Sequence, residues 1–252
     1  MVRYFIYLSF NGGAYSGWQI QPSAPSVQQT LSEALFTFLR YDVNIVGAGR
    51  TDAGVHAREM VAHIDLRERM DTAWMINKLN GILPPDIAVN AIVPVKSGAH
   101  ARFDATARSY GYYINLSKSP FERDFSLRTL PPIDFDLMNR AATMLYDVDD
   151  FTSFSKLHTD TKNNLCRVTE AEWRQIDDTR WVFVITANRF LRNMVRAIVG
   201  TLLAVGRGRL SLEEFKEVID SKDRCRAGDS APARGLFLEH VEYPDHLFII
   251  EE

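Results

Sequence analysis

Apolar and polar residues alternate along Val2–Phe10, and its β-branched and aromatic content predicts a strand. A polar stretch rich in Gly and Pro, Asn11–Pro25, predicts a loop. At Ser26 the period changes to that of a helix. Val27, Leu31, Leu35 and Phe38 fall on one face, and Ser26 with Gln29 has the spacing of a capping box. The first half continues with a short strand over Val43–Val46, a strand over Glu59–Leu66 and a helix from its cap Asp71 to Leu79. Pro84-Pro85-Asp86 turns the chain into a strand over Ile87–Val95. The order is β-α-β-β-α-β.

After a linker, Lys96–Thr106, the order recurs. Ala107–Leu116 predicts a strand, and Asp136–Asp147 a helix with Leu137, Ala141 and Leu145 on one face. Arg167–Ile176 and Arg180–Ala187 predict a hairpin around Asp177-Asp178. Phe190–Val205 predicts a strongly apolar helix. Ser211 and Glu214 form a second capping box for an extra helix to Ser221, and Leu236–Tyr243 is the last strand. The repetition predicts an α/β (α+β) fold of two ferredoxin-like halves with pseudo-twofold symmetry, 1–100 and 101–252. Ligand sites favour interfaces between domains, so a cleft between the halves is the expected site.

Composition narrows the class. The chain has 252 residues, 46% hydrophobic and 24% charged, which is the make-up of an ordinary globular protein. No apolar stretch is long enough to span a bilayer, and Met1–Phe5 runs into a strand without the layout of a signal peptide. Cys166 and Cys225 make no ligand spacing and read as reduced thiols, so a cytoplasmic location is expected. A net charge of −3 is unusual for a nucleic-acid binder, but local charge matters more than the sum. Between Val184 and Leu212 stand Arg189, Arg192, Arg196, Arg207 and Arg209 with no Asp or Glu. They read either as solvated surface charges or as a surface for phosphates.

The candidate chemistry lies in Gly47–Ala57. Its three glycines are unfavourable inside a helix or strand and useful where backbone bends or approaches a ligand. Asp52 is its only acid and stands two residues from Arg50. In an extended segment the two side chains point to the same side. A carboxylate beside a guanidinium suits a nucleophile or base, and an Asp in such a loop can equally close an Asx-turn. Arg50 could instead be a loop salt bridge. Arg196 sits on the apolar helix, where a charge is costly unless paired or snorkelled to the surface. Tyr110, at the start of the second half's first strand, reads from the pattern as a cross-strand core ring, as do Tyr112 and Tyr113. His56 and His100 lack partners at ligand spacing and read as structural. Gly47, Gly49 and Gly54 have neither the Lys-Ser/Thr of a Walker loop nor a Rossmann spacing. No metal or organic cofactor is expected.

Gly49–His56 reads Gly-Arg-Thr-Asp-Ala-Gly-Val-His, and this run resembles the signature of the tRNA pseudouridine synthase A family. Further blocks resemble the family in order: Asn11–Gln19, His100–Tyr110, Asp150–Phe154, Met194–Arg196 and Ala231–Leu236. The chain departs from the pattern at Ala57-Arg58-Glu59 and at Leu191-Arg192-Asn193. The resemblance implies two halves joined in one sheet around a central RNA-binding cleft. It implies an isomerase turning uridine into pseudouridine in the anticodon stem-loop of tRNA, at nucleotides 38, 39 and 40. It makes Asp52 the catalytic residue and associates Arg50 with the flipped base. It pairs Arg196 with Asp52 and packs Tyr110 on the target uracil. A homodimer sharing one tRNA is expected on the same ground. Arg189, Arg192, Arg207 and Arg209 are then candidate RNA contacts. Two rivals are a noncatalytic RNA-binding protein on the same halves and a hydrolase cleaving a glycosidic bond. The hydrolase would need a second carboxylate, for which no block offers a candidate.

Overall fold

The computed structural model describes residues 1–156 and 163–249. The chain divides into two compact units, Met1–Thr106 with Leu238–Glu252, and Ala107–Phe237. The division falls at the end of the linker rather than at 100/101, and the C-terminal segment returns to the first unit. Strand pairing, not chain order, accounts for this.

The first unit holds β1 (Val2–Phe10), α1 (Val27–Leu39), β2 (Val46–Gly47), β3 (His56–Leu66), α2 (Thr72–Ile82) and β4 (Ile87–Val95). β1 lies between antiparallel β3 and β4, with Phe5 opposite His63 on one side and Val93 on the other. β2 pairs with β3 through Val46–His63 and Gly47–Ala62. Beside β3 lies β9 (Leu236–Glu242), whose residues from Leu238 belong to this unit. Tyr4, Phe5 and Ile6 are all buried in succession, so β1 is covered on both faces where simple alternation predicts one. α1 buries Val27, Leu31, Ala34 and Leu35. Ser26 Oγ accepts from Gln29 N–H, but Gln29 Nε2 donates to Glu33 Oε1 at 2.9 Å. The expected capping box is therefore half-formed, because a charged acceptor one turn away takes the amide.

The second unit holds β5 (Ala107–Asn115), β6 (Leu127–Arg128), α3 (Phe135–Thr143), β7 (Val168–Gln175), β8 (Arg180–Ala187), α4 (Met194–Gly206) and α5 (Leu212–Ser221). β8 lies between antiparallel β5 and β7, and two-residue β6 runs parallel to β5. Among the longer strands, the order is β4-β1-β3 in the first unit and β5-β8-β7 in the second, and the two-residue strands β2 and β6 lie off these paths. α3 starts after its cap Asp134, and its last turn over 144–147 tightens to a 3-10 helix. Met138, Ala141 and Ala142 form its buried face, with Leu137 only half-buried. α4 begins at Met194, not Phe190, because Asn193 stands at φ 66 and breaks the helix. Its Ala197, Ile198, Val199, Leu202 and Val205 are fully buried. Full burial of each larger apolar side chain contributes about 1.5–3 kcal/mol. α5 carries the complete capping box, with Ser211 N–H to Glu214 Oε2 at 2.7 Å and Glu214 N–H to Ser211 Oγ at 3.1 Å. Among the described residues, no helix is long and apolar enough to cross a membrane.

Candidate active site

In the first unit, residues 11–18 interlock with the loop that carries Asp52. Trp18 is buried against Gly47, where an added Cβ would stand 2.6 Å from the indole. Gly12 admits no side chain either, since its Cβ would meet Val55 O at 1.9 Å. The two stretches are also bonded. Trp18 N–H donates to Thr51 O at 3.4 Å and Gly54 N–H to Tyr15 O at 3.2 Å. Gly12 N–H donates to Nδ1 of buried His56 at 3.1 Å, which gives that histidine the structural role expected of it. Tyr15 OH in turn donates to Asp86 Oδ1 at 2.8 Å.

Asp52 opens a turn closed by Val55 N–H to Asp52 O at 3.1 Å, with Gly54 at φ 77 in its third position. A left-handed third residue is what a type II turn requires, and Gly adopts it without strain. Along 50–52 the residues are exposed, buried and half-buried in turn. Thr51 anchors the segment inside, and Arg50 and Asp52 stand on its outer side. Among the described residues no carboxylate pairs with Arg50, so the loop salt bridge is not formed. Arg58 and Glu59, two of the residues that depart from the family pattern, fasten β3 to β9. Arg58 Nε lies 3.1 Å from Glu239 Oε2, and Glu59 Oε1 accepts from Val241 N–H at 3.1 Å.

In the second unit, Tyr110 lies within β5 opposite Ile185 of β8, half-buried, its ring edge-on to Phe190 at 5.0 Å. Tyr112 is the buried core ring. Its hydroxyl donates to Pro232 O at 2.9 Å, and burial pushes its pKa up. Arg196, on the first turns of α4, is half-buried. Its Nε donates to Ala231 O at 2.7 Å, and Ala231 N–H donates back to Arg196 O at 2.9 Å. Gly200, one turn on, lets residues 229–231 approach: its Cβ would sit 1.7 Å from Asp229 O. This clamp joins residues 35 apart in sequence. Its traces in the sequence are Gly200 and the small residues before Pro232.

A family model described as tRNA pseudouridine synthase matches residues 7–104 and 141–244. The chain belongs to the tRNA pseudouridine synthase family. A tRNA pseudouridine synthase A of Bacteroides thetaiotaomicron is 58% identical over 250 residues, covering 98% of this chain and 93% of that protein. One of Porphyromonas gingivalis is 57% identical over 252 residues, covering 99% of this chain and all of its own length. One of Exiguobacterium sibiricum is 35% identical over 245 residues, covering 97% and 98%. As a member of this family, the chain is an isomerase of the pseudouridine synthase class.

The four other candidate arginines of this tRNA pseudouridine synthase do not form one strip. Arg189 and Arg192 precede α4, and Arg189 Nη1 donates to Asn163 Oδ1 at 3.2 Å. Arg207 and Arg209 follow α4, about 20 Å along a helix of this length. Arg207 Nη2 donates to Thr129 Oγ1 at 2.6 Å. Both line an open depression of about 540 Å³ with Arg128, which periodicity gave no reason to single out. Among the described residues, no group of three or more His, Cys, Asp or Glu side chains is placed to hold a metal.

Proposed function

We propose that this chain converts uridine to pseudouridine at nucleotides 38, 39 and 40 of the tRNA anticodon stem-loop. Asp52 is the catalytic carboxylate in this reading, Arg50 and Arg196 serve the same reaction, and Tyr110 packs on the target base. The observation that carries it is the loop around Asp52. Its backbone is held by close approaches at Gly12 and Gly47, and Asp52 is the sole acid on its outer side. Such preorganisation suits a group that must meet a reacting atom in one geometry. The reaction breaks the bond between uracil N1 and ribose C1′, turns the base and rejoins it through C5. It is redox-neutral and needs one carboxylate. That carboxylate attacks C1′ or base C6, or removes a ribose proton on the way to a glycal. A paired base must leave its stack first, and a cation such as Arg50 suits the vacated space.

Arg189, Arg192, Arg207 and Arg209 contribute phosphate contacts, and the acid-free stretch around them supports this. The family resemblance supports a homodimer, and a tRNA substrate supports a cytoplasmic location. The test uses unmodified, prefolded tRNA with chelator in excess, and maps pseudouridine by nucleotide. Pseudouridine at 38, 39 or 40 without free uracil is the expected result. Modification confined to other nucleotides would overturn the position, and released uracil would favour the hydrolase.

A further inference from the structure

Residues 99–104 form neither helix nor strand, yet each backbone amide in this stretch is bonded. Ala99 N–H donates to Lys96 O at 2.9 Å, and Asp104 N–H to His100 O at 3.1 Å. His100 N–H donates to Asp104 Oδ2 at 2.7 Å, and Ala101 N–H to Nδ1 of buried His63 at 3.1 Å. Arg102 and Phe103 N–H share Nδ1 of His100 at 3.1 and 3.3 Å. Two carbonyls are fixed as well. Ala99 O accepts from Arg3 Nη1 at 2.9 Å, and Ala101 O from the Tyr243 hydroxyl at 2.5 Å.

The turn is thus built around two imidazoles, whose ring centroids lie 4.6 Å apart. It ends on Phe103, whose ring lies 4.3 Å from that of His100, 30° from parallel, and is 75% exposed. Binding residues are carried disproportionately by surface loops that a rigid scaffold positions. An apolar protein contact would call for a contiguous patch, and no other large apolar residue lies in 96–106. The neighbouring acid, Asp104, is turned back to accept from His100 N–H, and the Arg102 guanidinium carbon stands 5.9 Å from the Phe103 ring centroid. A rigid flat ring with a cation beside it is the chemistry that takes an unstacked base and its phosphate.

We propose that Phe103 is a stacking platform for an unpaired base of the RNA substrate, with Arg102 at its edge. This assignment rests on the tRNA reading above. The test measures tRNA affinity, without turnover, for Phe103→Ala, Phe103→Leu, Phe103→Tyr and Phe103→Trp. The Ala and Leu variants are expected to bind roughly 5- to 150-fold more weakly, the range for loss of one base–aromatic stack. The Tyr variant keeps affinity. The emission that Phe103→Trp adds to the four native tryptophans is quenched by tRNA and not by a fully paired duplex. Wild-type affinity in Phe103→Ala, or in Phe103→Leu, which is apolar but not flat, would overturn the proposal. So would a change in mass of either variant by light scattering without RNA, which would assign the ring to a second copy of the chain. Wild-type protein that binds tRNA but forms no pseudouridine would sink the catalytic reading and leave the stacking result legible.

Discussion

His63 and His100 accept hydrogen bonds at Nδ1, so both must be neutral there for the turn at 99–104 to hold. Burial, with smaller effects from Arg3 and His100, lowers the His63 pKa to about 4 against the opposing pull of Asp65 and Asp104. His100 is lowered too, chiefly by burial and then by Arg3 and Arg102, with Asp104 opposing. A folded pKa below the ordinary 6.5 gives stability that is complete above that value and lost as pH falls toward about 4. Thermal unfolding from pH 7 to 5 should therefore show a falling melting temperature, and His63→Asn should flatten the fall. An unchanged slope in that variant would remove His63 from the account. Arg196 is the other test at this scale. Arg196→Met should lower the single-turnover rate more than tRNA affinity. Replacing Arg189 or Arg192 should instead weaken binding and cut the salt slope by roughly one unit for each phosphate that is no longer neutralised. An Arg196→Met variant that changed only affinity and salt slope would remove Arg196 from the reaction.

Among the elements, β1, β4 and β8 were legible in the sequence to their ends, because pattern and breakers agree there. Pro84-Pro85-Asp86 before β4 is one case. The start of α4 was not legible. Phe190 and Leu191 continue the apolar run, and the break is a backbone conformation at Asn193 that no side-chain pattern reports. β6 is too short for any period. The glycine-rich loop of Asp52 was readable as a loop, but its interlock with Gly12 and Trp18 is tertiary. Likewise the clamp on Arg196 appears only when residues 229–231 reach α4. Gly200→Ala tests that clamp. Helix propensity favours Ala by about 1 kcal/mol, yet its Cβ would lie 1.7 Å from a backbone oxygen. The variant should be destabilised, by about 1–3 kcal/mol as for overpacking, and should lose turnover as residues 229–231 shift. Ser211→Ala, at the α5 cap, should cost about 1 kcal/mol and leave turnover intact. Chemical unfolding and single-turnover rates of the two variants decide this, and equal effects on rate would contradict it.

For the whole molecule, the β-α-β-β-α-β order of the first half was legible from hydrophobic period, and the first unit carries it, whereas the strand expected to close the second half, β9, falls from Leu238 onward in the first unit. The return of the C-terminal segment to the first unit was not legible, because strand partners depend on edges far apart in the chain. The proposed homodimer is checked by light scattering. A dimeric mass at working concentration is expected, and a monomer with full activity would overturn it. The central claim is that Asp52 performs the isomerisation, and its most direct measurement is single-turnover pseudouridine formation by Asp52→Asn on unmodified tRNA. The account predicts a folded variant by circular dichroism that still binds tRNA and forms no pseudouridine. Substantial product from a pure Asp52→Asn sample would contradict it.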